Sequence, residues 1–198
     1  MTRGDSSTRE TILNAAWELF AALGYDGTGG EMIADAAGVP AAEIGAIFGG
    51  KLGLYREILK RAHDQDMILV QEMAANYTRD RDGLHFLVDR YLDYCCENPR
   101  VVALWMQRKM RDAADLDEVE REYASAPLAG VGRMVGDLFR PGLDAELTSW
   151  MIIWFIQIFV HSGIPDEHGR RVGCEDTQQL RRFRRQVHEV VDALLADA

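Results

Sequence analysis

The stretch ADAAGVPAAEIGAIFGGKLGLY, residues 34–55, decides how the chain is read. Ala37-Gly38-Val39 places a glycine and small residues between two short apolar runs, so two helices can cross closely there. Pro40 suits the start of the second run, because its missing N–H would have no helical partner. In that run Ile44, Ile47 and Phe48 are expected to point inward. Ala41, Ala42, Gly45 and Ala46 then take the solvent positions, and Gly49-Gly50 ends the helix. The outline is a helix-turn-helix. Its second helix carries almost nothing that hydrogen-bonds to a base edge, and Glu43 is the only charge before Lys51.

Working outward, apolar residues recur at helical spacing nearly throughout, and no strand alternation stands out. Ile12, Ala16, Leu19, Phe20 and Leu23 form one face of a first helix, which Gly24 stops. Thr28 and Glu31 stand at capping-box spacing before a short helix with Met32, Ile33, Ala36 and Ala37 on its apolar face. A long helix follows from about Leu52 to Thr78–Gly83. Further helices are LHFLVDRYLDYCCE ending at Asn98-Pro99, RVVALWMQRKMRDA ending before Asp115, and LDEVEREYASAPLAGVGRMVGDLF, interrupted at Pro127 and closed by Pro141-Gly142. DAELTSWMIIWFIQIFVHSG comes next. A polar loop, IPDEHGRRVGCEDT, separates it from a final helix, QQLRRFRRQVHEVVDALLAD. The expectation is an all-α chain of about nine helices. A helix-turn-helix domain spans residues 1–51, and a larger helical bundle spans residues 52–198.

The chain has 198 residues, of which 47% are apolar and 27% charged, enough for a real core. Its net charge of −10 counts against a broadly basic nucleic-acid binder. Cys95, Cys96 and Cys174 are odd in number and show neither a disulfide framework nor CxxC spacing. No Cys/His cluster has zinc spacing, and neither metal nor cofactor is expected. The N-terminus does not read as a signal peptide. WMIIWFIQIFV, residues 150–160, is too short to span a bilayer and contains Gln157. A cytoplasmic protein without membrane attachment is expected. No Ser/His/Asp, Cys/His or paired-carboxylate arrangement argues for an enzyme.

The N-terminal segment resembles the tetracycline-repressor (TetR) family of bacterial transcriptional regulators. The resemblance rests on Ile12-Leu13-x-Ala15-Ala16, Phe20, Leu23-Gly24-Tyr25, Thr28, Ile33-Ala34, Ala37-Gly38-Val39, Phe48, Lys51 and Leu54-Tyr55, in the right order and at the right gaps. It implies a homodimer whose heads bind two half-sites of a double-stranded palindromic operator, about 34–36 Å apart. It also implies a small-molecule pocket in the C-terminal bundle, a dimer interface on the last two long helices, and repression released by the effector. The family's recognition helix is usually capped by Ser and furnished with polar, aromatic and basic residues. Here the matching positions are Pro40, Ala41, Ala42, Glu43, Gly45, Ala46 and Ile47 before Phe48, and the family's Ser/Asn-Lys is Gly49-Gly50-Lys51.

Residues 1–51 hold Arg3, Arg9 and Lys51 against Asp5, Glu10, Glu18, Asp26, Glu31, Asp35 and Glu43, a net charge of −4. Few phosphates can be neutralised by such a domain. The candidate DNA contacts are Arg3 and Arg9 on an N-terminal arm, Thr28, Ala41, Ala42, Glu43, Ala46 and Lys51. Alanine can touch a thymine methyl, and Glu43 can accept from a cytosine amine. A TetR-shaped dimer that binds ligands or partners but has lost its operator is the alternative reading.

In the bundle, Tyr91, Tyr94, Trp105, Met106, Met110, Trp154, Gln157 and His161 are candidates to line a pocket for an apolar or aromatic effector, whose identity stays open. Plain core packing explains the same stripe, and His161 also reads as a structural residue. The dimer candidates are Trp150, Ile153, Ile158, Phe183, Val187, Val190, Val191 and Leu194, with intrachain core as the competing explanation. Trp154 and His161 also fall on that helix face. Arg181, Arg182, Arg184 and Arg185 read as the solvated face of an amphipathic helix that pairs with acids such as Glu175 and Asp176; a second nucleic-acid site is the other reading. The acidic stretch 112–122 reads as a wet helix surface.

Overall fold

The computed structural model describes residues 3–110, 112, 113, 116, 123 and 130–196, with side chains from Ser7 onward. The expected helix around LDEVERE, its break at Pro127 and most of the acidic stretch 112–122 fall outside the described residues. Among the described residues nine α-helices form: α1 Arg3–Leu23, α2 Gly30–Ala37, α3 Ala41–Phe48, α4 Lys51–Asn76, α5 Arg81–Glu97, α6 Pro99–Lys109, α7 Val131–Val135, α8 Ala145–Ser162 and α9 Thr177–Leu194. The fold is all-α. Its only paired strands among the described residues are a two-residue hairpin, β1 Ile164–Pro165 against β2 Arg171–Val172. That hairpin replaces the loop expected between the last two helices. The turn is tied by Asp166, whose carboxylate accepts from the His168 and Arg170 amides at 2.8 Å each.

The chain divides into two compact units, residues 1–65 with 103–124 and residues 66–102 with 125–198. The first unit takes in the start of α4 and the end of α6 as well as the three short helices. Its core is Ile12, Leu13, Ala16 and Phe20 of α1, Ile33 and Ala34 of α2, Ile44 of α3, and Leu54, Tyr55, Ile58 and Leu59 of α4, all buried. Tyr55 meets Phe20 edge-on at 5.0 Å and Tyr25 at 4.7 Å.

Three local expectations need correction. Leu23, at the end of α1, is 49% exposed, while Leu13 and Trp17 are buried on that helix instead. On α2 the buried pair is Ile33-Ala34, and Met32 and Ala36 are exposed. Thr28 makes no capping box. The N-cap of α2 is Gly29, without a side-chain bond, and the Thr28 hydroxyl is buried and donates back to the Gly24 carbonyl at 2.7 Å.

Gly24 stops α1 as expected, with φ of +75°. Its lack of a side chain has a second use. A Cβ there would sit 2.6 Å from the Asp112 carboxylate, which accepts from the amides of Tyr25 at 2.7 Å and Asp26 at 2.9 Å. Asp26 in turn accepts from the Ala113 amide at 3.0 Å, and Gln107 Nε2 donates to the Ala21 and Ala22 carbonyls. The segment after α6 is thus clasped to the α1–α2 turn.

In the second unit, aspartates cap three helices. Asp80, Asp144 and Asp176 accept from Gly83, Leu147 and Gln179 amides at 2.8–2.9 Å, each occupying an orphan donor of a first turn. The helix expected from Leu84 therefore begins earlier, at Arg81. Phe159 of α8 stacks on Phe183 of α9 at 3.9 Å. Along α5 and α9 runs a charged seam. His85 and Asp192 share a 2.8 Å hydrogen bond, as do His188 and Asp89. The two imidazoles stack at 4.0 Å. Arg81 pairs with Asp192, and Arg184 with Asp89 and Asp93.

Candidate nucleic-acid interface and effector site

α3 is built to show one face. Pro40 caps it in an extended conformation, and Gly49 closes it with φ of +72°. Ile44 alone is buried, at 3% exposure; Ile47 and Phe48 are half-buried. Ala41, Ala42, Gly45 and Ala46 are exposed, as expected for a reading helix, and Glu43 is half-buried beside them. The outward face therefore offers methyl groups and one carboxylate.

The cations expected to assist it are placed differently. Arg9 lies within α1, not on an extended arm. It pairs with Glu57 at 3.2 Å, and its guanidinium sits 5.0 Å over the Phe48 ring. Arg3 is also helical, at the first residue of α1. The Lys51 ammonium stands 3.9 Å over the Tyr25 ring, a contact that holds it by the ring's negative face. Nearby, Arg61 makes a two-pronged pair with Glu10 at 2.8 and 2.9 Å, which holds the Glu10 carboxyl below the usual range. Thr28, being buried, presents nothing to a duplex.

The pocket candidates separate. Trp105, Met106 and Met110 lie in the first unit, and Met110 is 60% exposed. In the second unit Tyr91 and Gln157 come together, with Gln157 Nε2 donating to the Tyr91 hydroxyl at 2.7 Å. Burial drives the Tyr91 hydroxyl well above its ordinary pKa. Tyr94 donates to Asp66 at 2.6 Å. Trp154 and His161 are exposed on α8 and do not border the cavity beside Tyr91. Beside Tyr91 lies an apolar cavity of about 40 Å³, bordered by Met73, Leu84, Leu87, Ile152 and Ile153. That is below the roughly 300–1,000 Å³ of drug-sized sites.

The subunit-seam candidates also divide. Ile153, Val187 and Val191 are buried within the chain and belong to its core. Ile158 and Val190 are exposed at 48% and 36%, and Trp150, Phe183 and Leu194 are half-buried. The outward strip of α8 is larger than expected: Leu147, Met151, Trp154, Phe155 and Ile158 are all exposed. Their spacing, i, i+4, i+7, i+8 and i+11, is a helix face that the sequence displays. Because α8 is apolar all round, the outward residues do not stand apart from the inward ones. Between α8 and α9 this strip borders an apolar groove of about 320 Å³, with Phe183, Gln186 and Val190 on its far side.

The family model described as "Bacterial regulatory proteins, tetR family" matches residues 12–58, the segment that builds α1 to α3 and the start of α4. Residues 12–58 are thus a TetR-type N-terminal domain. Solved structures agree on the fold over nearly the whole length. The ketosteroid transcriptional regulator KstR2 of Mycobacterium tuberculosis is similar with a TM-score of 0.70 and 17% identity, covering 96% of this chain and 95% of that one. The hemolysin II transcriptional regulator HlyIIR is similar at 0.65 and 21%, covering 98% and 99%. SCO3833 of Streptomyces coelicolor A3, a TetR-family member, gives 0.63 and 22%, covering 94% and 91%. No curated protein matches the sequence. The chain thus carries the helix-turn-helix of a bacterial transcriptional regulator. Among its described residues no helix is long and apolar enough to cross a membrane, and no group of three or more His, Cys, Asp or Glu is placed to hold a metal ion.

Proposed function

We propose that the chain is a cytoplasmic homodimeric repressor whose two heads, residues 1–51, bind the half-sites of a palindromic operator, and that an apolar or aromatic small molecule releases it. The outward face of α3 carries the reading: eight residues held by caps at both ends, one buried anchor, and three exposed alanine methyls with a bare glycine, free to enter a major groove. Base contacts on this face are methyl packing by Ala41, Ala42 and Ala46 and acceptance of a cytosine amine by Glu43. Lys51, and Arg3 at the start of α1, supply phosphate contacts. With so little affinity per head, dimerisation through the exposed α8 strip is required for operator occupancy. The Tyr91–Gln157 neighbourhood is where an effector enters, widening the small apolar cavity as it binds.

A gel shift of the purified dimer on DNA from its own upstream region, at low and moderate salt, tests this. A sequence-specific shift is expected. Absence of sequence preference at every salt concentration contradicts it and supports the second reading, a TetR-shaped dimer without an operator. The engagement of Arg9 by Glu57 and Phe48, and of Lys51 by Tyr25, is the observation on that side.

A further inference from the structure

Arg181, Arg182 and Arg185 lie on the first turns of α9, and all three are exposed. Spacings of three and four residues bring Arg182 and Arg181 onto the same side as Arg185. Arg184, in the same run, is taken by Asp89 and Asp93. The acids expected to neutralise the others are committed elsewhere. Glu175 accepts from the Gly173 amide at 2.9 Å, and Asp176 caps α9 through the Gln179 amide. Among the described residues none of the three arginines has an ion-pair partner. Three unneutralised guanidiniums side by side in a chain of net charge −10 repel one another and attract anions.

These arginines border a cleft of about 1080 Å³, closed on its other side by the β1–β2 hairpin. Gly163 allows the hairpin to lie there. Its φ is +61°, and a Cβ would come within 2.8 Å of the Val172 carbonyl oxygen. Ile164, Pro165 and Val172 give the cleft an apolar border. Its acids, Asp166, Glu167 and Asp176, are themselves occupied or turned to solvent. Asp166 is bound by Arg170 at 2.8 Å, Asp176 is the α9 cap, and the Glu167 side chain is 85% exposed.

We infer that this cleft, between the first turns of α9 and the β1–β2 hairpin, binds an organic anion bearing a diphosphate. Guanidinium forks match phosphate oxygens two at a time, and adjacent arginines suit a doubly or triply charged head. The volume exceeds what an inorganic ion fills, and the apolar border meets the organic body. This site shares no residue with the α3 face or with the apolar cavity beside Tyr91.

Calorimetric titration of the full-length dimer with ADP and with inorganic pyrophosphate tests the inference. Saturable binding of one ligand per chain is expected for both, with ADP the tighter. Arg181→Ser/Arg182→Ser is expected to weaken ADP by about tenfold or more. The charge-matched Arg79→Ser/Arg140→Ser, elsewhere in the same unit, is expected to change it less than about twofold. Circular dichroism and melting temperature establish that both variants are folded; all four positions are exposed. Failure of the wild type to saturate, equal loss in both variants, or pyrophosphate binding as tightly as ADP each overturns the proposal. Retention on heparin without saturable ADP binding also overturns it, and assigns the arginines to a polyanion surface.

Discussion

Ala42 sits exposed on α3, where a DNA-reading helix commonly carries a hydrogen-bonding side chain. Ala42→Arg adds a phosphate-reaching charge to a surface that has almost none. Its affinity for non-specific duplex at low salt is expected to rise about five- to tenfold, measured by fluorescence anisotropy. An unchanged affinity means that this face does not meet DNA. Thr28 illustrates a different outcome. Its spacing from Glu31 suggests a cap, yet the hydroxyl is buried against the Gly24 carbonyl. The α1–α2 turn brings the hydroxyl to a carbonyl to which it donates, instead of to an α2 amide from which it would accept, and residue spacing alone does not carry that information. Thr28→Val is expected to cost about 1–2 kcal/mol in urea unfolding, the penalty for leaving a buried carbonyl without its donor. A change within about 0.3 kcal/mol contradicts that role. Arg9 and Lys51 show the same limit on reading charge from sequence. Both are cations in the right segment, and both are held by partners, Glu57 with Phe48 and Tyr25, that lie far off in the chain.

At the scale of elements, several helix boundaries are legible from a local cap or stop, although the Asp80 cap of α5 is not among them. Gly24, Gly38 and Gly49 each adopt positive φ at a helix end, and Asp144 and Asp176 begin α8 and α9. The hairpin 164–172 was not legible, because its strands have two residues each and show no alternation. The seam between α5 and α9 was invisible for another reason. Its partners, such as Arg81 with Asp192 and Arg184 with Asp89, are separated by about a hundred residues, and only packing brings them together. Arg81, then His85, holds the Asp192 carboxyl at about 2, below its ordinary 3.8. A carboxyl lowered in the folded chain contributes stability that is complete above the unfolded value and is lost as pH falls through the folded one. The Asp192 contribution is therefore expected to disappear between about pH 4 and pH 2. Asp192→Asn is expected to cost about 1 kcal/mol at pH 7, after allowance for screening at this part-exposed seam, and almost nothing near pH 2. Urea unfolding of the two proteins at both pH values checks this; an equal cost at each contradicts the charge-based account.

For the whole molecule, the exposed strip Leu147, Met151, Trp154, Phe155 and Ile158 is apolar surface that a lone subunit leaves in water. Three residues of the expected seam, Ile153, Val187 and Val191, belong instead to the core of the chain, since a helix apolar all round does not announce which side faces inward. Phe155→Glu places a charge in the centre of the strip and is expected to shift the chain from dimer to monomer in sedimentation equilibrium while the helical circular-dichroism signal is retained. A dimer as tight as the wild type's puts the seam elsewhere. In the proposed dimer, two weakly charged heads read one operator because the seam couples them. The salt dependence of operator binding by the wild-type dimer tests this most directly, through log K against log salt concentration by anisotropy. With Lys51 and Arg3 as the two proposed phosphate contacts of each head, sequence-specific binding with a slope of about −4 or shallower is expected. A slope near −8 or steeper, or binding without preference for any sequence, contradicts it.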